Sequence, residues 1–316
     1  MAVADVVVVS YNSARSLVDC VGALAEDSRF HVVVVDNASQ DDSLEVVADR
    51  QVELLALDQN HGFAYGCNRG WEVGTAPYVL FLNPDARIDP PSILSLVGVL
   101  EASPRLGAVG PCIRHESGAL DLSQRRFPRL RSTYAQALFL HRILPRAPWA
   151  DEVVHDPALY EQARPVEWIS GACLLARRTT LEQIGGWDEG FFMYGEDKDL
   201  CRRLWRAGCQ VRYEPGATAI HIGGQSAPRA QLLPTLAASR IRYARKHHRK
   251  LVALLERIGV GLGEVTHAVF TDKGRAVRAG HLRALWLVVM PSRDEALTER
   301  PGTSVPTAVE PRTPNK

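Results

Sequence analysis

Short runs of apolar residues alternate with longer stretches of mixed polarity along the first 115 residues of the chain. Val, Ile and Leu dominate the runs, which is typical of strands that are covered on both faces of a sheet. The expected strands are 5–10, 31–36, 52–57, 78–82 and 106–113. The expected helices are 13–24, one that starts at Asp41-Asp42, 62–74 and 90–103. This alternating order predicts a mostly parallel sheet with right-handed crossovers.

The second half of the chain has a less regular pattern. Residues 117–165 are rich in Arg and Pro and predict a long excursion from the sheet. The expected strand pieces are 166–176 around a glycine bend, 209–213 and 217–220. The expected helices are a short one from Thr180, 196–207 and 232–258. From Ser292 the chain is polar and contains four prolines, so we expect a disordered tail.

These elements predict an α/β fold, in which a mostly parallel central sheet carries helices on both faces and a helical extension follows. We expect one sheet-containing domain at 1–225, a helical extension at 226–291 and the tail at 292–316. The domain divides into two halves, 1–115 and 116–225, where the regular alternation ends.

Composition narrows the class of protein. Of 316 residues, 46% are apolar and 23% are charged, and the net charge is +1, which is ordinary for a soluble globular protein. A nearly neutral chain argues against a general nucleic-acid binder. We expect no signal peptide, because the start lacks a basic segment, and no apolar run approaches the roughly 20 residues of a membrane span. Six scattered cysteines without a C-x-x-C motif predict a reduced, cytoplasmic compartment.

A carboxylate, Asp85, directly follows a strand that should be buried. The strand at 78–82 stops at Asn83-Pro84, because proline has no N–H for a sheet ladder. Open α/β sheets bind ligands at this edge, where a carboxylate can hold a divalent cation and, through it, a phosphate. His221 follows another expected strand and is a candidate second ligand. The alternatives are an aspartate that only forms a turn and a structural histidine.

Polar residues follow three expected strands at the same edge of the sheet. They are Ser10-Tyr11-Asn12, Asp36-Asn37 and Asn83-Pro84-Asp85. Parallel strands place these ends side by side, so we expect one crevice, in which Asp36 accepts from a base N–H or a ribose hydroxyl. Glycines recur from Gly62 to Gly70, close to Asn60 and Asn68. They would let the backbone approach a ligand, or they serve helix packing.

The expected helix at 196–207 carries carboxylates that helical spacing separates. Asp197 shares a stripe with Leu200 and Leu204, so it should face inward. Burial there raises the pKa of a carboxylate and suits it to general-base chemistry. The alternative is that Asp197 only caps the start of the helix. Asp199 and Arg203 lie four residues apart and predict a surface ion pair.

The ordered set of short motifs along the chain resembles a known family. The motifs are Val9-Ser10-Tyr11-Asn12, Val35-Asp36-Asn37-Ala38-Ser39, Asn60-His61-Gly62-Phe63-Ala64, Phe81-Leu82-Asn83-Pro84-Asp85, Ser170-Gly171-Ala172, Gly186-Trp187-Asp188-Glu189, Phe192-Met193-Tyr194-Gly195-Glu196-Asp197 and His221. Each motif is weak alone, but the set in this order is similar to family 2 glycosyltransferases with the GT-A fold, of the bacterial rhamnosyltransferase-like branch. The resemblance covers about residues 4–250.

The resemblance implies a Rossmann-like GT-A domain with its nucleotide-binding half at 1–115 and its acceptor and catalytic half at 116–225. The implied donor-binding residues are Ser10, Tyr11, Asn12, Asp36, Asn60, Gly62, Asn68, Asn83 and Asp85. Asn83 stands where the family usually has the first aspartate of an Asp-x-Asp metal motif. Asp85 and His221 would therefore hold the Mg²⁺ or Mn²⁺.

The resemblance also assigns the catalytic and acceptor side. Asp197 would be the catalytic base, next to Glu196 in the same motif. Trp168, Gly171 and Trp187 would shape the acceptor side.

The implied reaction inverts the anomeric centre in one metal-assisted displacement. We expect transfer of L-rhamnose from dTDP-rhamnose to a cell-envelope polysaccharide or a polyprenyl-diphosphate-linked glycan. One alternative is a family 2 transferase that uses a UDP- or GDP-sugar. Another, of a different class, is a catalytically inactive nucleotide-sugar-binding or scaffold protein, which the replacement of an aspartate by Asn83 favours.

A basic stretch at 240–250 bears on partners and location. It is either a solvated helix face or a contact with a lipid-linked diphosphate or an anionic membrane, with Trp286 to Met290 as an apolar foothold. The second interpretation predicts a cytoplasmic protein that is peripheral on the inner face of the plasma membrane. The sequence is also compatible with a homodimer.

Overall fold

The structure, a computed structural model, describes residues 1–223 and 228–290, so the tail expected from Ser292 lies outside the described residues. The strands are β1 (Ala4–Ser10), β2 (Phe30–Asp36), β3 (Glu53–Ala56), β4 (Tyr78–Leu82), β5 (Ala86–Ile88), β6 (Leu106–Arg114), β7 (Gln124–Arg125), β8 (Arg164–Pro165), β9 (Trp168–Ile169), β10 (Cys173–Arg177) and β11 (Gln210–His221). The α-helices are α1 (Ala14–Ala25), α2 (Phe63–Val73), α3 (Pro90–Ala102), α4 (Leu130–Ala137), α5 (Leu140–Ile143), α6 (Arg178–Ile184), α7 (Glu196–Arg206), α8 (Arg229–His247), α9 (Lys250–Phe270) and α10 (Arg275–Val289).

The central sheet is mixed and mostly parallel, which confirms the predicted fold class. Its strand order is β3-β2-β1-β4-β10-β6-β11-β5, and β8 pairs with β11. β1 runs parallel to β2 and β4, and β6 runs parallel to β11, whereas β10 is antiparallel to both of its neighbours, β4 and β6. β1 and β4 therefore end side by side, at the edge where Asp85 follows β4.

Alternate residues of the central strands point into two separate apolar layers. Val6 and Val8 of β1 pack in one layer with the inner faces of α1 and α3. Val7 and Val9 pack in the other layer with α2 and α7. This period of two is the one that a strand covered on both faces requires. The sheet thus fixes α7, which carries Asp197, against its face.

The prediction of a helix that starts at Asp41-Asp42 is wrong. The segment forms a turn and one short 3-10 helix, Glu45–Val47. The Asp41 carboxylate accepts hydrogen bonds from the backbone N–H groups of Ala14 and Ser43, both at 3.1 Å. Because the side chain satisfies loop N–H groups, it ties this loop to the start of α1 instead of initiating a helix.

The expected helix at 232–258 is two helices, α8 and α9, with extended backbone at His248 and Arg249 between them. Arg206 of α7 donates to the His247 carbonyl at 3.1 Å and satisfies one of the free acceptors at the end of α8. The two strand pieces expected at 209–213 and 217–220 are one strand, β11, with an irregularity between Glu214 and Thr218.

The basic stretch at 240–250 is not a uniform solvated face. Arg240 lies 3.0 Å from a carboxylate oxygen of Glu152, and Arg242 lies 2.9 Å from Asp188. Lys246 lies 2.6 Å from the other oxygen of Asp188. These three cations therefore fasten the helical extension to the sheet-containing domain.

Asp199 is not part of a surface ion pair, and this corrects the prediction from helical spacing. The expected partner is present, since Arg203 Nε donates to Asp199 at 2.7 Å. However, the Asp199 side chain is 0% exposed, and Lys246 Nζ and His247 Nε2 of α8 also lie 2.7 Å from it. Asp197 is thus not the sole inward aspartate of α7. Burial opposes the charge of Asp199, but His247, Arg203 and Lys246 outweigh it and lower the pKa of Asp199 to about 2.

We expect Asp199→Asn to lower the free energy of unfolding by about 3–5 kcal/mol, because removing one member of a buried charge cluster leaves the others unpaired. The folded-state pKa of Asp199 is below the unfolded value of about 3.9, so its stabilisation is present above pH 4 and is lost as the pH falls towards 2. Chemical denaturation of both proteins between pH 7 and pH 2 would measure this difference.

The matched control is Glu116→Gln, which removes the exposed ion pair between Arg87 and Glu116. Exposed pairs contribute at most about 1 kcal/mol, so this variant should unfold close to wild type at every pH. Equal effects of the two substitutions, or a difference that persists at pH 2, would contradict the role given to Asp199.

Gly62 permits a close backbone approach between α2 and the loop that precedes α7. Its φ is +91°, and an added Cβ would lie 2.2 Å from the Phe192 carbonyl oxygen. That oxygen accepts the N–H of Phe63 at 2.8 Å, and the Gly62 carbonyl accepts from the Asn37 side chain at 3.0 Å. Both the left-handed backbone and the contact with Phe192 therefore require glycine at this position.

We expect Gly62→Ala to destabilise the protein more than Gly118→Ala. Both glycines have positive φ, but a Cβ at Gly118 would meet no atom within 4 Å. Gly118→Ala thus measures backbone strain alone, about 1–2 kcal/mol, and Gly62→Ala adds an overpacking cost of about 1–3 kcal/mol. Thermal unfolding of the two variants tests this, and equal losses would show that the Phe192 contact costs nothing.

Candidate active site

A cavity of about 360 Å³ opens at the edge where β1 and β4 end. Loops after these strands form one wall, and the start of α7 with the loop before it forms the opposite wall. The ten sequence-predicted residues that line the cavity are Tyr11, Asn12, Asn60, Gly62, Asn83, Asp85, Gly171, Glu196, Asp197 and His221. The fold thus brings residues that lie up to 210 positions apart, from Tyr11 to His221, to one site.

Three predicted residues of the nucleotide-binding half lie behind the cavity wall. Ser10 is 0% exposed at the end of β1. Asp36 is 1% exposed, and its carboxylate accepts hydrogen bonds from the Ser39 hydroxyl at 2.5 Å and the Ser39 N–H at 2.8 Å. The Asn68 side chain binds both the N–H and the carbonyl of Trp187, at 2.9 and 3.0 Å. In the structure these groups support the loops that form the wall.

The two predicted tryptophans of the acceptor side are also buried behind the wall. Trp187 is 2% exposed, and its ring packs edge-on against Phe63 and Phe81. The Trp168 indole donates to the Arg126 carbonyl at 2.8 Å. Both side chains hold backbone in place, whereas Gly171 itself borders the cavity.

The Asp197 carboxylate is held by two backbone donors at the cavity wall. Its Oδ1 accepts the N–H of Lys198 at 2.7 Å, and its Oδ2 accepts the N–H of Gly171 at 3.3 Å. An added Cβ at Gly171 would lie 3.3 Å from the Asp197 Cβ, so glycine permits this approach. Burial raises the pKa of Asp197, and the Lys198 charge and both N–H groups oppose that rise.

Glu196 is a second buried carboxyl group, next to Asp197 in the chain. Burial, followed by the charge of Asp197, raises the pKa of Glu196 to about 8. Its Oε2 has no hydrogen-bond partner among the described residues. Burial and the neighbouring charge thus favour the neutral form of Glu196.

Asp85 and His221 lie in contact with each other on the cavity floor. β5 pairs with the end of β11, which brings His221 Nε2 to 3.2 Å from Asp85 Oδ1. The second oxygen of Asp85 accepts the N–H of Gly223 at 3.1 Å. Burial opposes the charged ring, but Asp121 and Asp85 outweigh it and raise the pKa of His221 to about 9.

These groups fit a divalent cation only in part. Among residues 1–223 and 228–290, no group of three or more His, Cys, Asp or Glu residues is arranged to enclose a metal ion. One carboxylate and one imidazole, with Asn83 Nδ2 3.4 Å from the imidazole, offer few protein ligands. This set suits an ion that takes its other ligands from water and a bound phosphate, as Mg²⁺ commonly does.

Several residues of the cavity wall were missed by the analysis of the sequence. Tyr194 has a φ of +68°, a strained backbone that a sequence does not reveal for tyrosine. Gln231 and Leu232 reach the cavity from the start of α8. No pattern predicted that the helical extension folds back onto the site. Ser170 and Tyr194, by contrast, each belong to a motif quoted above and could have been named from it.

Sequence comparisons connect this site to known proteins. The family model described as Glycosyl transferase family 2 matches residues 5–162, and the one described as N-terminal domain of galactosyltransferase matches residues 158–222. The chain is similar to an N-acetylglucosaminyl-diphospho-decaprenol L-rhamnosyltransferase of Mycobacterium tuberculosis, with 36% identity over 63% of this chain and 68% of that protein. It is also similar to the rhamnosyltransferase WbbL of Escherichia coli, with 29% identity over 62% of this chain and 74% of that protein.

Solved structures share the fold at lower identity. A mannosyltransferase of Pyrobaculum calidifontis, in complex with GDP-Man and Mn²⁺, superposes with a TM-score of 0.56 at 15% identity, over 90% of this chain and 87% of that one. TarS of S. aureus (residues 1–349) superposes with a TM-score of 0.55 at 14% identity, over 94% and 83% of the two chains. Within the described residues, no helix has both the length and the apolar character to cross a membrane.

The motifs, the sheet order and the comparisons agree. The family 2 model spans half of the chain, and a named rhamnosyltransferase is 36% identical over 212 residues. This chain therefore belongs to glycosyl transferase family 2 and is a GT-A glycosyltransferase of the rhamnosyltransferase-like branch.

Proposed function

We propose that this glycosyltransferase inverts the anomeric centre as it moves L-rhamnose from dTDP-rhamnose to a glycan linked to polyprenyl diphosphate, in cell-envelope synthesis. The observation that carries the proposal is one cavity with Asp85 and His221 on its floor and Asp197 on its wall. The two relatives named as rhamnosyltransferases support the sugar, and the name of the mycobacterial one supports the acceptor.

The nucleotide half of the cavity offers neutral polar groups. Tyr11, Asn12 and Asn60 line it with amide and phenol groups that can donate to and accept from a base, a ribose or a phosphate. Asp36 acts behind this wall, since it holds Ser39, whose hydroxyl accepts the N–H of Asn12 at 2.9 Å. Its proposed role in base recognition is thus through the loop that it supports.

Asp85 and His221 would hold a Mg²⁺ or Mn²⁺ ion against the donor diphosphate, and Asn83 would face the same group. When bound, this ion supplies positive charge that offsets the charge developing on the leaving diphosphate. The structures of Mn²⁺-bound GT-A proteins support such an ion for the fold. The residues of this chain supply one carboxylate and one imidazole for it.

Asp197 would take the proton from the acceptor hydroxyl as that hydroxyl attacks the sugar. Its two backbone hydrogen bonds hold the carboxylate oriented, and together with the charge of Lys198 they oppose the rise that burial causes in the pKa of Asp197. A single displacement by the acceptor inverts the anomeric carbon. The mechanism requires no covalent intermediate, so no side chain needs to act as a nucleophile.

We propose the domain arrangement that the sequence suggests. The nucleotide-binding half is 1–115, the acceptor and catalytic half is 116–225, and the helical extension is 226–291. The extension also contributes to the site, since Gln231 and Leu232 line the cavity. A lipid-linked acceptor implies work at the inner face of the plasma membrane, where the protein would be peripheral.

Asp197→Asn should reduce the rate of sugar transfer by about 10²–10⁴-fold, because a positioned base contributes on that order. Donor binding should change little, since the amide keeps the shape of the side chain. Glu196→Gln is the matched control, because glutamine resembles the neutral form of Glu196, and this variant should lose much less activity at pH 7. Turnover measured in both variants decides the assignment, and near-wild-type turnover of Asp197→Asn removes Asp197 from the base role.

A thermal-shift panel of dTDP, UDP, GDP and CDP, each with and without Mg²⁺ or Mn²⁺, tests the donor. A ligand that binds only the folded state raises its stability by RT ln(1 + [L]/Kd). We expect the largest metal-dependent shift with dTDP, and we expect Asp85→Ala to abolish the metal dependence. Asp49→Ala, an exposed aspartate away from the cavity, is the control and should behave as wild type.

Three other outcomes would change the proposal. A preference for UDP or GDP would keep the transferase and refute the dTDP-sugar. Unchanged metal dependence in Asp85→Ala would refute the metal ligand. The absence of a shift with every nucleotide, together with no transfer from dTDP-rhamnose, would refute the donor site itself.

A further inference from the structure

The helix α9 carries an apolar stripe that no residue among 1–223 and 228–290 covers. Its exposed residues are Leu251, Leu254, Ile258, Val265 and Val269, between 42% and 68% exposed. Their spacing of three, four, seven and four residues places them on one side of the helix along its whole length. The opposite sides of α9 pack against α4, α8 and α10. A stripe of this length on a soluble surface indicates a binding partner.

The helix α10 adds a second stripe beside the first. Its exposed residues are Leu282, Trp286 and Val289, between 53% and 64% exposed. The seam between α9 and α10 contains Gly261 against Val288, and α8 packs on the other flank of α10, where Gly280 meets Ala230. Gly280 lies on the side of α10 opposite to Leu282 and Val289, so the α10 stripe lies away from α8. We call the two stripes together the hairpin face.

A basic cavity adjoins the hairpin face. It has a volume of about 350 Å³, lies between α8 and α9, and is lined by Arg245, His248, Lys250 and Arg257 together with apolar groups. Leu254 belongs both to this lining and to the hairpin face. Among the described residues, those that line this cavity are basic or apolar. This combination suits an anionic headgroup joined to an apolar chain.

This basic cavity is separate from the candidate active site. Leu232 borders the active-site cavity and Arg245 borders the basic cavity, and both lie on α8. Thirteen helical residues separate them, which is about 20 Å along the helix axis. A single diphosphate therefore cannot occupy both cavities.

We propose that the hairpin face docks on an anionic lipid surface and that the basic cavity binds the phosphate of a lipid headgroup. Trp286 would lie at the level of the headgroups, where tryptophan is enriched. Apolar area and positive charge side by side are the two features by which peripheral helices bind anionic membranes. The proposal deepens the proposed function, because it names the surface that brings the enzyme to a lipid-linked acceptor.

Charge argues against a second copy of the chain as the occupant. Residues 229–290 contain twelve Lys and Arg against three acidic residues. Two of the acids are engaged inside the bundle, Glu256 with Thr133 and Glu264 with His281. A two-fold contact would set like-charged surfaces against each other, which disfavours it. Lipid phosphates carry the opposite charge.

Co-sedimentation with phosphatidylcholine vesicles, with and without phosphatidylglycerol, tests the proposal. We expect binding to the vesicles that contain phosphatidylglycerol. Ile258→Asp and Trp286→Ser should each weaken it by about tenfold or more, since each removes a large apolar side chain from the contact. Lys250→Glu should weaken it by about tenfold at low salt and less at high salt, because salt screens the charge. Glutamate at the start of α9 also suits the helix dipole, so this variant should fold.

The matched controls are Leu54→Asp on β3 and Arg105→Glu before β6, which are exposed and lie outside the helical extension. Both should bind vesicles as wild type does, and thermal unfolding should show that all variants are folded. A folded wild-type protein that binds no vesicles overturns the proposal. So does a dimer, seen by light scattering, that Ile258→Asp dissociates while vesicle binding is absent.

Vesicle binding needs neither donor nor acceptor, so the two proposals fail separately. If the protein transfers sugar but does not bind vesicles, the proposed docking surface alone is refuted. A protein that binds vesicles but no nucleotide refutes the proposed function alone.

Discussion

A buried negative charge on α7 joins this helix to the helical extension. Asp199, with no exposed surface, is bonded by Arg203 from its own helix and by Lys246 and His247 from α8. Asp197 lies two residues earlier on the same helix, so the contacts of Asp199 with α8 help to fix its position. The cost of burying the Asp199 charge is offset only while its cationic partners stay in place. The orientation of the proposed base therefore depends on a helix that lies outside the sheet-containing domain.

Some residues of the candidate site are positioned by the sheet, and others are positioned by the packing of helices. Asp85 follows a fully buried strand, and Gly171 precedes the antiparallel strand that pairs with it, so the sheet sets the distance between the floor and the wall. Asp197 rests on α7, and Leu232 comes from α8. The floor at Asp85 is thus the more rigid part of the site. The opposite wall depends on contacts between side chains, which adjust more easily than a strand ladder.

The first half of the fold could be predicted from the sequence because buried strands and amphipathic helices have characteristic periods. Asp85, Asp197 and His221 were found because they follow or begin such elements. Asp199 was misplaced, since spacing finds a partner four residues away but not one on another helix. The loop at Asp41 was misread because its side chain satisfies the backbone of a distant segment. The position of the helical extension depends on long-range ion pairs, for which a single sequence carries no pattern.

The excursion between β6 and β10 leaves and rejoins the sheet on neighbouring strands. Its two ends are fixed by the ladder that joins Val109 to Leu175, while the residues between them form no strand of the central sheet except the short β8 at its margin. The entropic cost of a longer loop grows only slowly with its length. Insertions and deletions in this segment should therefore cost little conformational entropy. A change in the length of this segment therefore leaves the ladder between β6 and β10 unchanged.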